Sequence, residues 1–453
     1  MSPLFKSDLF RLKDLFKASN WILGLQWLVF LFTNIVVIPI SVGAAFGLEQ
    51  GKIASLLQIS FVVTGLACMM QALFGHRRAI MEGQSGLWWG VILSLCSTAS
   101  AQGVSLETLG GSLGIGIVIS GTLTLLIGLS GLGYHLARLF NPAVMGVFMF
   151  LLGCQLAGIF LKGMLGIPFG HAPAGEASES AQIDVAVSLL SLVVVIGVIL
   201  INIKTPPRIG RYALLIGMIA GWALFVQIFQ SDEAVGPFPP FRMQPFPFGA
   251  PAWDAGIIVT AVLAGLLNLA NTFGALKGTE GMYRSETGPA VYRASLSITG
   301  VFVGLSGLLG LVPYAPYVSS IGFLQQVGVL RRLPFILGSF MFIVMGIVPW
   351  LGQWLTRLPL SVGSAVLFVA YLQLLLSSWN FFRQVEWNTA NIYRSAIPLF
   401  VGIVIMTMPA SYFEPIPALV RPLVSNGLLM GILLALLLEN LVRWDRMRWS
   451  GRG

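Results

Sequence analysis

The residue best suited to chemistry in this 453-residue chain is a lone carboxylate, Glu82, in the segment 76–90 (HRRAIMEGQSGLWWG). The other 16 of the 17 acidic residues lie in predicted connections or at the ends of apolar runs. An ionisable group inside an apolar run is expensive to bury, and such groups mark ligand sites or proton pathways. Glu82 therefore either accepts N–H groups from a ligand or carries a proton, unless it lies at the end of its run and pairs with Arg77 or Arg78.

The glycines that follow this carboxylate predict how it is presented. Gly83, Gly86 and Gly90 each disfavour a continuous helix by about 1 kcal/mol relative to alanine. The pattern favours an extended stretch and then a half-helix, whose free N–H groups and positive dipole end face a cavity. Trp88 and Trp89 in this half-helix either stack on a planar ligand or anchor the chain at a membrane interface.

Two further polar clusters interrupt apolar runs. One contains Asn268, Asn271 and Thr272, whose side chains need a partner on another helix or on a ligand. The other is the serine pair Ser319 and Ser320, which follows two prolines and can cap a new half-helix. Both clusters are therefore candidates for ligand contacts.

These residues lie in a chain that is 56% hydrophobic and only 9% charged, against roughly a quarter charged in soluble domains. So much apolar surface excludes a soluble globular enzyme and indicates a lipid bilayer as the surrounding. The three cysteines and three histidines show no CxxC or paired spacing, so we expect no metal site, no cofactor and no disulfide framework. The sequence also lacks the DxxD or HxxxH cluster that a polytopic membrane enzyme would need.

Apolar runs of about 20 residues, the length that crosses a hydrocarbon core, predict an all-α polytopic membrane protein. Twelve clear runs lie near 22–47, 53–74, 111–131, 142–161, 184–203, 212–230, 255–275, 294–312, 334–352, 362–380, 395–409 and 425–441. Two weaker runs lie at 84–100 and 318–330. If all fourteen cross and both ends are cytoplasmic, 21 of the 26 basic residues lie on the cytoplasmic side. Fourteen spans are therefore expected, and orientation rather than nucleic-acid binding explains the net charge of +9.

The weak runs are the third and the tenth, so each half of seven spans is interrupted at the same place. A sequence echo joins Pro142, Gly146 and Gln155 in the fifth span to Pro359, Gly363 and Gln373 in the twelfth. Because seven is odd, the second copy enters the membrane from the opposite side. We predict a 7+7 inverted repeat with short strands and half-helices in spans 3 and 10, where secondary transporters bind their substrates.

Several segments resemble the nucleobase cation symporter family, also called the nucleobase-ascorbate transporters. These segments are LQWLVFLFTNIVVIPI, GQSGLWWG, NTFGALKG and PYAPYVSSIGFLQQVGVLRR, and GHRRAIMEG, SSIG and NIYR are similar to a branch of uracil and xanthine permeases. The resemblance implies a core domain (spans 1–4 and 8–11), a gate domain (spans 5–7 and 12–14) and a homodimer formed through the gate domains. The corresponding boundaries are a cytoplasmic amphipathic N-terminus at 1–20, core parts at 21–135 and 233–356, gate parts at 136–232 and 357–442, and a cytoplasmic tail at 443–453.

The ionisable site groups of the resembled family are missing at the matching positions of this chain. The eighth-span Glu falls on Asn271, the ninth-span Asp on Thr299, the tenth-span Gln or Glu and Asn on Ser319 and Ser320, and the first-span His on Trp27. A neutral base can still bond to the amide of Asn271, which is both a donor and an acceptor. The usual carboxylates are not available for proton coupling, which makes Glu82 the candidate for that role.

We therefore expect a secondary permease, and not an enzyme, that moves a uracil-type or xanthine-type nucleobase by an elevator-like displacement of core against gate. The predicted substrate site consists of Glu82, Gly86, Trp88, Asn271, Phe273, Ser319 and Ser320. An anion carrier on the same architecture and a facilitator without proton coupling remain alternatives. The expected location is the bacterial cytoplasmic (inner) membrane, with both termini in the cytoplasm and no nucleic acid as partner.

Overall fold

The computed structural model describes residues 12–15, 17–99, 103–167, 182–210, 212–229, 244–327, 329–348, 350 and 357–442. The predicted N-terminal segment 1–20 is thus described in part, and the predicted tail 443–453 lies outside the described residues. The first half contains α1 (Ala18–Ile35), α2 (Val37–Ala45), α3 (Gln50–Leu73), β1 (Glu82–Gln84), α4 (Gly86–Thr98), α5 (Leu106–Ser130), α6 (Pro142–Met164), α7 (Val185–Lys204) and α8 (Ala213–Phe229). The second half contains α9 (Ala255–Tyr283), α10 (Pro289–Leu309), β2 (Tyr314–Pro316), α11 (Ser320–Val327), α12 (Arg332–Ile347), α13 (Leu360–Tyr371), α14 (Gln373–Phe382), α15 (Thr389–Thr407) and α16 (Gly427–Asn440). Short helical turns cover Leu12–Leu15, Leu132–Leu136, Pro207–Gly210, Ala410–Phe413 and Arg421–Val424.

The predicted fourteen spans are present. Within the described residues, nine helical segments are long and apolar enough to cross a membrane, and four shorter apolar helices, α4, α8, α12 and α16, accompany them. The segment that contains β2 and α11 completes the set of fourteen. The third and tenth spans each consist of a short strand followed by a half-helix, so the prediction of an all-α membrane protein with a 7+7 inverted repeat is confirmed.

Polar caps fix where several spans begin. Asn141 accepts a hydrogen bond from the backbone N–H of Val144 at the start of α6, and Asp254 does the same for Ile257 at the start of α9. These caps satisfy N–H groups that would otherwise be unpaired at the end of a helix. The local sequence therefore sets the helix starts that position the interrupted spans.

The helices pack as two groups. The larger group contains spans 1–4 and 8–11, with α12 packed on α1 and α3, and α5 packed on α9 and α10. The smaller group contains spans 5–7 and 12–14, with α6 packed on α13, α14, α15 and α16, and α7 on α8 and α13. The half-helix α4 of the larger group contacts α6 of the smaller group, so the third span lies at the boundary between them.

Glycines allow the close packing of α5 on α10. A Cβ atom at Gly121 would lie 2.3 Å from the backbone nitrogen of Gly304, and one at Gly300 would lie 2.4 Å from that of Leu125. Small residues that let helix backbones approach are typical of interfaces inside a membrane. This tight pair belongs to the larger group, and α10 also contacts β2 of the tenth span.

The two strands pair with each other at the point where their spans are interrupted. β1 and β2 are antiparallel, with Glu82 opposite Pro316, Gly83 opposite Ala315 and Gln84 opposite Tyr314. The backbone N–H of Ser85 donates to the carbonyl of Pro313 at 2.8 Å, just beyond the strand pair. The pairing satisfies backbone groups that have no helical partner inside the membrane.

Candidate functional site

Glu82 lies in β1 and is fully buried. Its Oε1 accepts a 2.6 Å hydrogen bond from the hydroxyl of Thr299 on α10, and the backbone N–H and carbonyl of Glu82 both bond to the thiol of Cys68 on α3. The second carboxyl oxygen, Oε2, is buried and has no hydrogen-bond partner among the described residues. One oxygen of the carboxyl group is thus hydrogen-bonded, and the other has no partner among the described residues.

The described arginines do not neutralise this carboxylate. Ion pairs within the described residues join Lys17 to Asp14 and Arg394 to Glu439, and neither pair includes Glu82. The interpretation that Glu82 lies at the membrane edge and pairs with Arg77 or Arg78 therefore does not fit the structure.

Arg78 instead joins the segment before β1 to the end of α9 and to the connection that follows it. Its guanidinium donates to the carbonyls of Leu276 and Ser285 and to the hydroxyls of Thr279 and Thr287. These bonds to four acceptors explain how its charge is satisfied although the residue is 4% exposed. Arg78 therefore fixes the entry to the third span.

His76 in the same connection is not a proton carrier at neutral pH. Burial, and then the positive charge of Arg78, lower the pKa of His76 to about 3. The imidazole is therefore neutral above that pH, and its Nδ1 accepts a hydrogen bond from the backbone N–H of Arg78. Glu82 remains the ionisable group at the interrupted third span.

Asn271 belongs to a network of three side chains beside the start of α4. Asn268 donates from Nδ2 to the carbonyl of Tyr314 at 3.0 Å, which leaves its Oδ1 to accept from Ser85 at 2.6 Å and from Asn271 at 2.9 Å. The carbonyl can only accept, so the orientations of both amides follow from it. Asn271 thus donates from Nδ2, and no described residue donates to its Oδ1.

The half-helix α4 begins at Gly86, which lies at the boundary between the two helix groups. A Cβ atom at Gly86 would lie 3.2 Å from Leu156 and 3.6 Å from the ring of Tyr371, and both of these residues belong to the smaller group. The N-cap Ser85 makes no side-chain bond to the helix, so the first N–H groups of α4 are left without a side-chain cap. The chain therefore places helix N–H groups and the amide of Asn271 at one boundary.

One turn further along α4, the two groups are joined directly. Gln155 of α6 donates from Nε2 to the carbonyl of Gly90 at 2.7 Å. The indole of Trp89 packs on Phe160 with ring centroids 5.1 Å apart. These contacts join the two helix groups along α4.

The structure does not bring every predicted residue to this boundary. Trp88 is fully buried inside the larger group, with its ring near Gly265 of α9, and Phe273 is 2% exposed and packs on Phe140 and Tyr292. Neither ring has an exposed face in this conformation. Trp89, the neighbour of Trp88, is the tryptophan that faces the smaller group.

The two predicted serines also differ. Ser320 is fully buried, and its hydroxyl accepts a hydrogen bond from the backbone N–H of Met81 at 3.1 Å. Ser319 is exposed. Ser320 thus joins the tenth span to the third, whereas Ser319 is accessible to a ligand.

Several contributing residues were not predicted as part of the site. Gln71 bonds to Thr299, and Thr299 bonds to the carboxyl group of Glu82. Ser85 bonds to Asn268, a residue of the predicted polar cluster, and Gln155 reaches α4 from the other group. A signal for part of this set is present in α3, where Ser60, Thr64, Cys68 and Gln71 recur every three or four residues on one buried face.

The structural comparison identifies the same architecture in a transporter. The transmembrane domain of a cyanobacterial bicarbonate transporter, BicA, aligns with a TM-score of 0.61 at 17% identity, covering 89% of this chain and 98% of that one. At this identity the likeness shows the fold alone.

Sequence relatives cover nearly the whole chain. The "Putative purine permease YwdJ" of Bacillus subtilis is 30% identical over 441 residues, which are 94% of this chain and 96% of the relative. The xanthine permease of the same organism is 25% identical and covers 92% of each chain. The profile described as "Permease family", for xanthine and uracil permeases, matches residues 18–411. The chain therefore belongs to this permease family, the nucleobase-ascorbate transporters, and is a membrane transporter rather than an enzyme.

Proposed function

We propose that this protein is a secondary permease for a planar nucleobase of the uracil or xanthine type, bound at the boundary beside the start of α4. The observation that carries the proposal is the amide of Asn271, whose Nδ2 is engaged and whose Oδ1 is left to accept. An oxopurine or a pyrimidinedione offers ring N–H donors that match this acceptor. Its carbonyl oxygens match the uncapped N–H groups of α4 and the hydroxyl of Ser319.

An anion carrier is the alternative that the uncapped helix start supports, because helix N-termini favour anions. The acceptor atom of Asn271 argues against it, since a lone pair aimed at the ligand repels an anion that has no donor. The relatives named as purine and xanthine permeases also favour a base with N–H groups. We therefore prefer the nucleobase.

Transport by an elevator-like movement fits the two helix groups. We infer that the larger group is the core domain and the smaller group the gate domain, and that the ligand moves with the core. The side chains proposed to hold the base, Asn271 and Ser319, belong to the larger group, while Leu156 and Tyr371 lie opposite on the smaller one. Sliding along this boundary would carry the base without dismantling its hydrogen bonds.

Proton coupling through Glu82 is part of the same proposal. The carboxyl group is buried, has no ion-pair partner within the described residues and has one open oxygen. Burying an unpaired carboxylate is costly, so gain and loss of a proton change the free energy of the conformation that buries it. This is the property that a coupling residue requires.

Uptake of radiolabelled uracil and xanthine in a bacterial strain without nucleobase permeases tests the substrate class. We expect uptake of at least one base, and competition by unlabelled bases that weakens when the ring N–H facing Asn271 carries a methyl group. Absence of uptake and of competition by any nucleobase would exclude the proposal. Inhibition by simple inorganic anions alone would favour the anion carrier.

We also propose that both termini lie in the cytoplasm of a bacterial inner membrane and that two copies associate through the smaller group. Exposed apolar side chains such as Leu375, Leu376 and Trp379 on α14 are available for a lipid or protein partner. Labelling of terminal tags in intact and permeabilised cells checks the orientation. Cross-linking between cysteines placed on α14 checks the dimer, and monomeric behaviour in mild detergent and in membranes would contradict it.

A further inference from the structure

Two hydrogen bonds form a directed chain that ends on Glu82. Gln71 of α3 donates from Nε2 to the hydroxyl oxygen of Thr299 at 3.0 Å, and Thr299 donates to Oε1 of Glu82 at 2.6 Å. Gln71 also donates to the carbonyl of Ser295 at 3.1 Å. All three side chains of the chain are buried.

The backbone fixes the direction of this chain. The backbone N–H of His76 donates to Oε1 of Gln71 at 3.4 Å, so the amide oxygen lies on that side and Nε2 must face Ser295 and Thr299. The hydroxyl oxygen of Thr299 accepts a hydrogen bond from Gln71, and its O–H donates a hydrogen bond to Glu82. Oε1 of Glu82 is therefore an acceptor, and Oε2 is the oxygen left to bind a proton.

Other groups around the carboxyl do not replace this arrangement. From α3, the thiol of Cys68 bonds to the backbone of Glu82, and from β2 the phenol of Tyr314 is paired with the hydroxyl of Thr64 at 2.9 Å. From α10 the facing group is Thr299 itself. On the segment before β1, Arg78 donates its guanidinium hydrogens to Leu276 and Thr279 in the last turns of α9.

We propose that Gln71 and Thr299 are positioning residues that orient the carboxyl group of Glu82, so that Oε2 alone exchanges the coupling proton and the working pH range is set by the bond from Thr299. The inference rests on the proposed role of Glu82 in proton coupling. It assigns a function to two residues whose side-chain hydrogen bonds lead to Glu82 rather than to the substrate network of Asn268, Asn271 and Ser85.

The expected effect is a displacement of the pH profile of uptake. A donor that bonds to a carboxyl oxygen stabilises the ionised form more than the neutral form. Loss of such a bond changes the balance by roughly one to two pH units, taking the usual range for hydrogen bonds to charged groups. Thr299→Val, which keeps the shape but removes the hydroxyl, should therefore move the half-maximal pH of uptake to more alkaline values by about one unit or more.

The experiment measures initial uptake of labelled xanthine, or of whichever base the unmodified protein carries, in membrane vesicles across pH 5–9. Thr299→Ser keeps the donor and should retain the original profile, whereas Gln71→Leu should move it in the same direction as Thr299→Val by a smaller amount. Thr64→Val is the matched control, because it removes a buried hydroxyl that bonds to Tyr314 instead of Glu82. Exchange of labelled for unlabelled base at one pH, without a gradient, shows that each variant is folded.

Two outcomes separate failure of this inference from failure of proton coupling. If Glu82→Gln removes the pH dependence and Thr299→Val leaves the profile within 0.3 units of Thr299→Ser, Glu82 couples protons but is not positioned by Thr299. If Glu82→Gln keeps the full pH dependence, the coupling role of Glu82 is itself wrong. A shift for Thr64→Val as large as that for Thr299→Val would also overturn the positioning role.

Discussion

The two interrupted spans occupy equivalent places in the repeat but differ in chemistry and in packing. The third span contains a buried carboxylate, Glu82, and its half-helix α4 is held by the other helix group through Gln155 and Phe160. The tenth span has no acidic residue between 313 and 327. In its half-helix α11, the ring of Phe323 packs on Trp27, which belongs to the same helix group. The third and tenth spans thus share a strand and a half-helix but differ in their ionisable groups and in their packing partners.

The difference indicates how the functions are divided. The third span provides the ionisable group, Glu82, and contacts the smaller helix group through α4. The tenth span provides the strand that pairs with β1 and the hydroxyl of Ser320 that bonds to Met81. We infer that the ionisable chemistry lies in the third span, while the tenth span supports its strand.

The largest expected effect is that of replacing the carboxylate. A gradient of two pH units can drive at most about a hundredfold accumulation for one proton per substrate, because each unit is worth about 1.4 kcal/mol. Glu82→Gln should abolish this accumulation in vesicles while exchange of labelled for unlabelled base continues. Unchanged accumulation would mean that Glu82 does not couple protons, and the third span would then not differ from the tenth in this function.

A second-site variant sharpens the same prediction. Thr299 lies 2.6 Å from Oε1 of Glu82, so an aspartate at 299 would return a carboxyl group to the same contact. We expect Glu82→Gln with Thr299→Asp to recover part of the pH dependence. Ser320→Asp, which places the acid on the tenth span, is the control and should recover none.

The next effect concerns the amide beside the third span. Asn271→Ala removes the proposed acceptor for the base, and loss of such a bond costs roughly 1.5 kcal/mol, or about tenfold in affinity. Competition by unlabelled base measures this change. The comparison variant Ser319→Ala alters an exposed hydroxyl of the tenth span and should weaken affinity by a smaller factor. An equal loss would mean that Ser319 contributes as much to binding as Asn271 does.

A smaller effect separates the two serines of the tenth span. Ser320→Ala leaves the buried N–H of Met81 without its acceptor, which costs roughly 1–2 kcal/mol of stability. Ser319→Ala should change stability by less than about 0.5 kcal/mol, since the residue is exposed. Thermal unfolding in detergent compares them, and equal midpoints would show that Ser320 does not support the third span.

The interruptions were predictable from the sequence because their cause is local. Gly83, Gly86 and Gly90 weaken a helix wherever they occur, and the prolines before Ser319 act in the same way. The fourteen spans follow equally from local runs of apolar residues. These features did not require knowledge of packing.

The partners of the predicted residues required the fold. Thr299 is 217 positions from Glu82 in the sequence, and their contact depends on how α10 packs beside α3. Trp88 and Trp89 are about 100° apart on a helix, so one of them must face away from the boundary, and the sequence does not say which. The structure places Trp89 there, whereas Trp88 is buried inside the larger group.

The smallest effect tests whether the contact between the two helix groups at α4 is specific to the third span. Gln155→Leu removes a hydrogen bond to Gly90 that is worth about 1 kcal/mol, so the population of this conformation should fall about fivefold relative to its alternative. Labelling of Ser319→Cys, in a background with the exposed Cys154 replaced by alanine, reports this conformation because residue 319 is accessible in it. The repeat-related Gln373 is exposed, so Gln373→Leu removes no bond here and should not lower the labelling. If Gln155→Leu and Gln373→Leu lower the labelling equally, the two glutamines stabilise this conformation to the same extent. The third and tenth spans would then differ only in their chemistry.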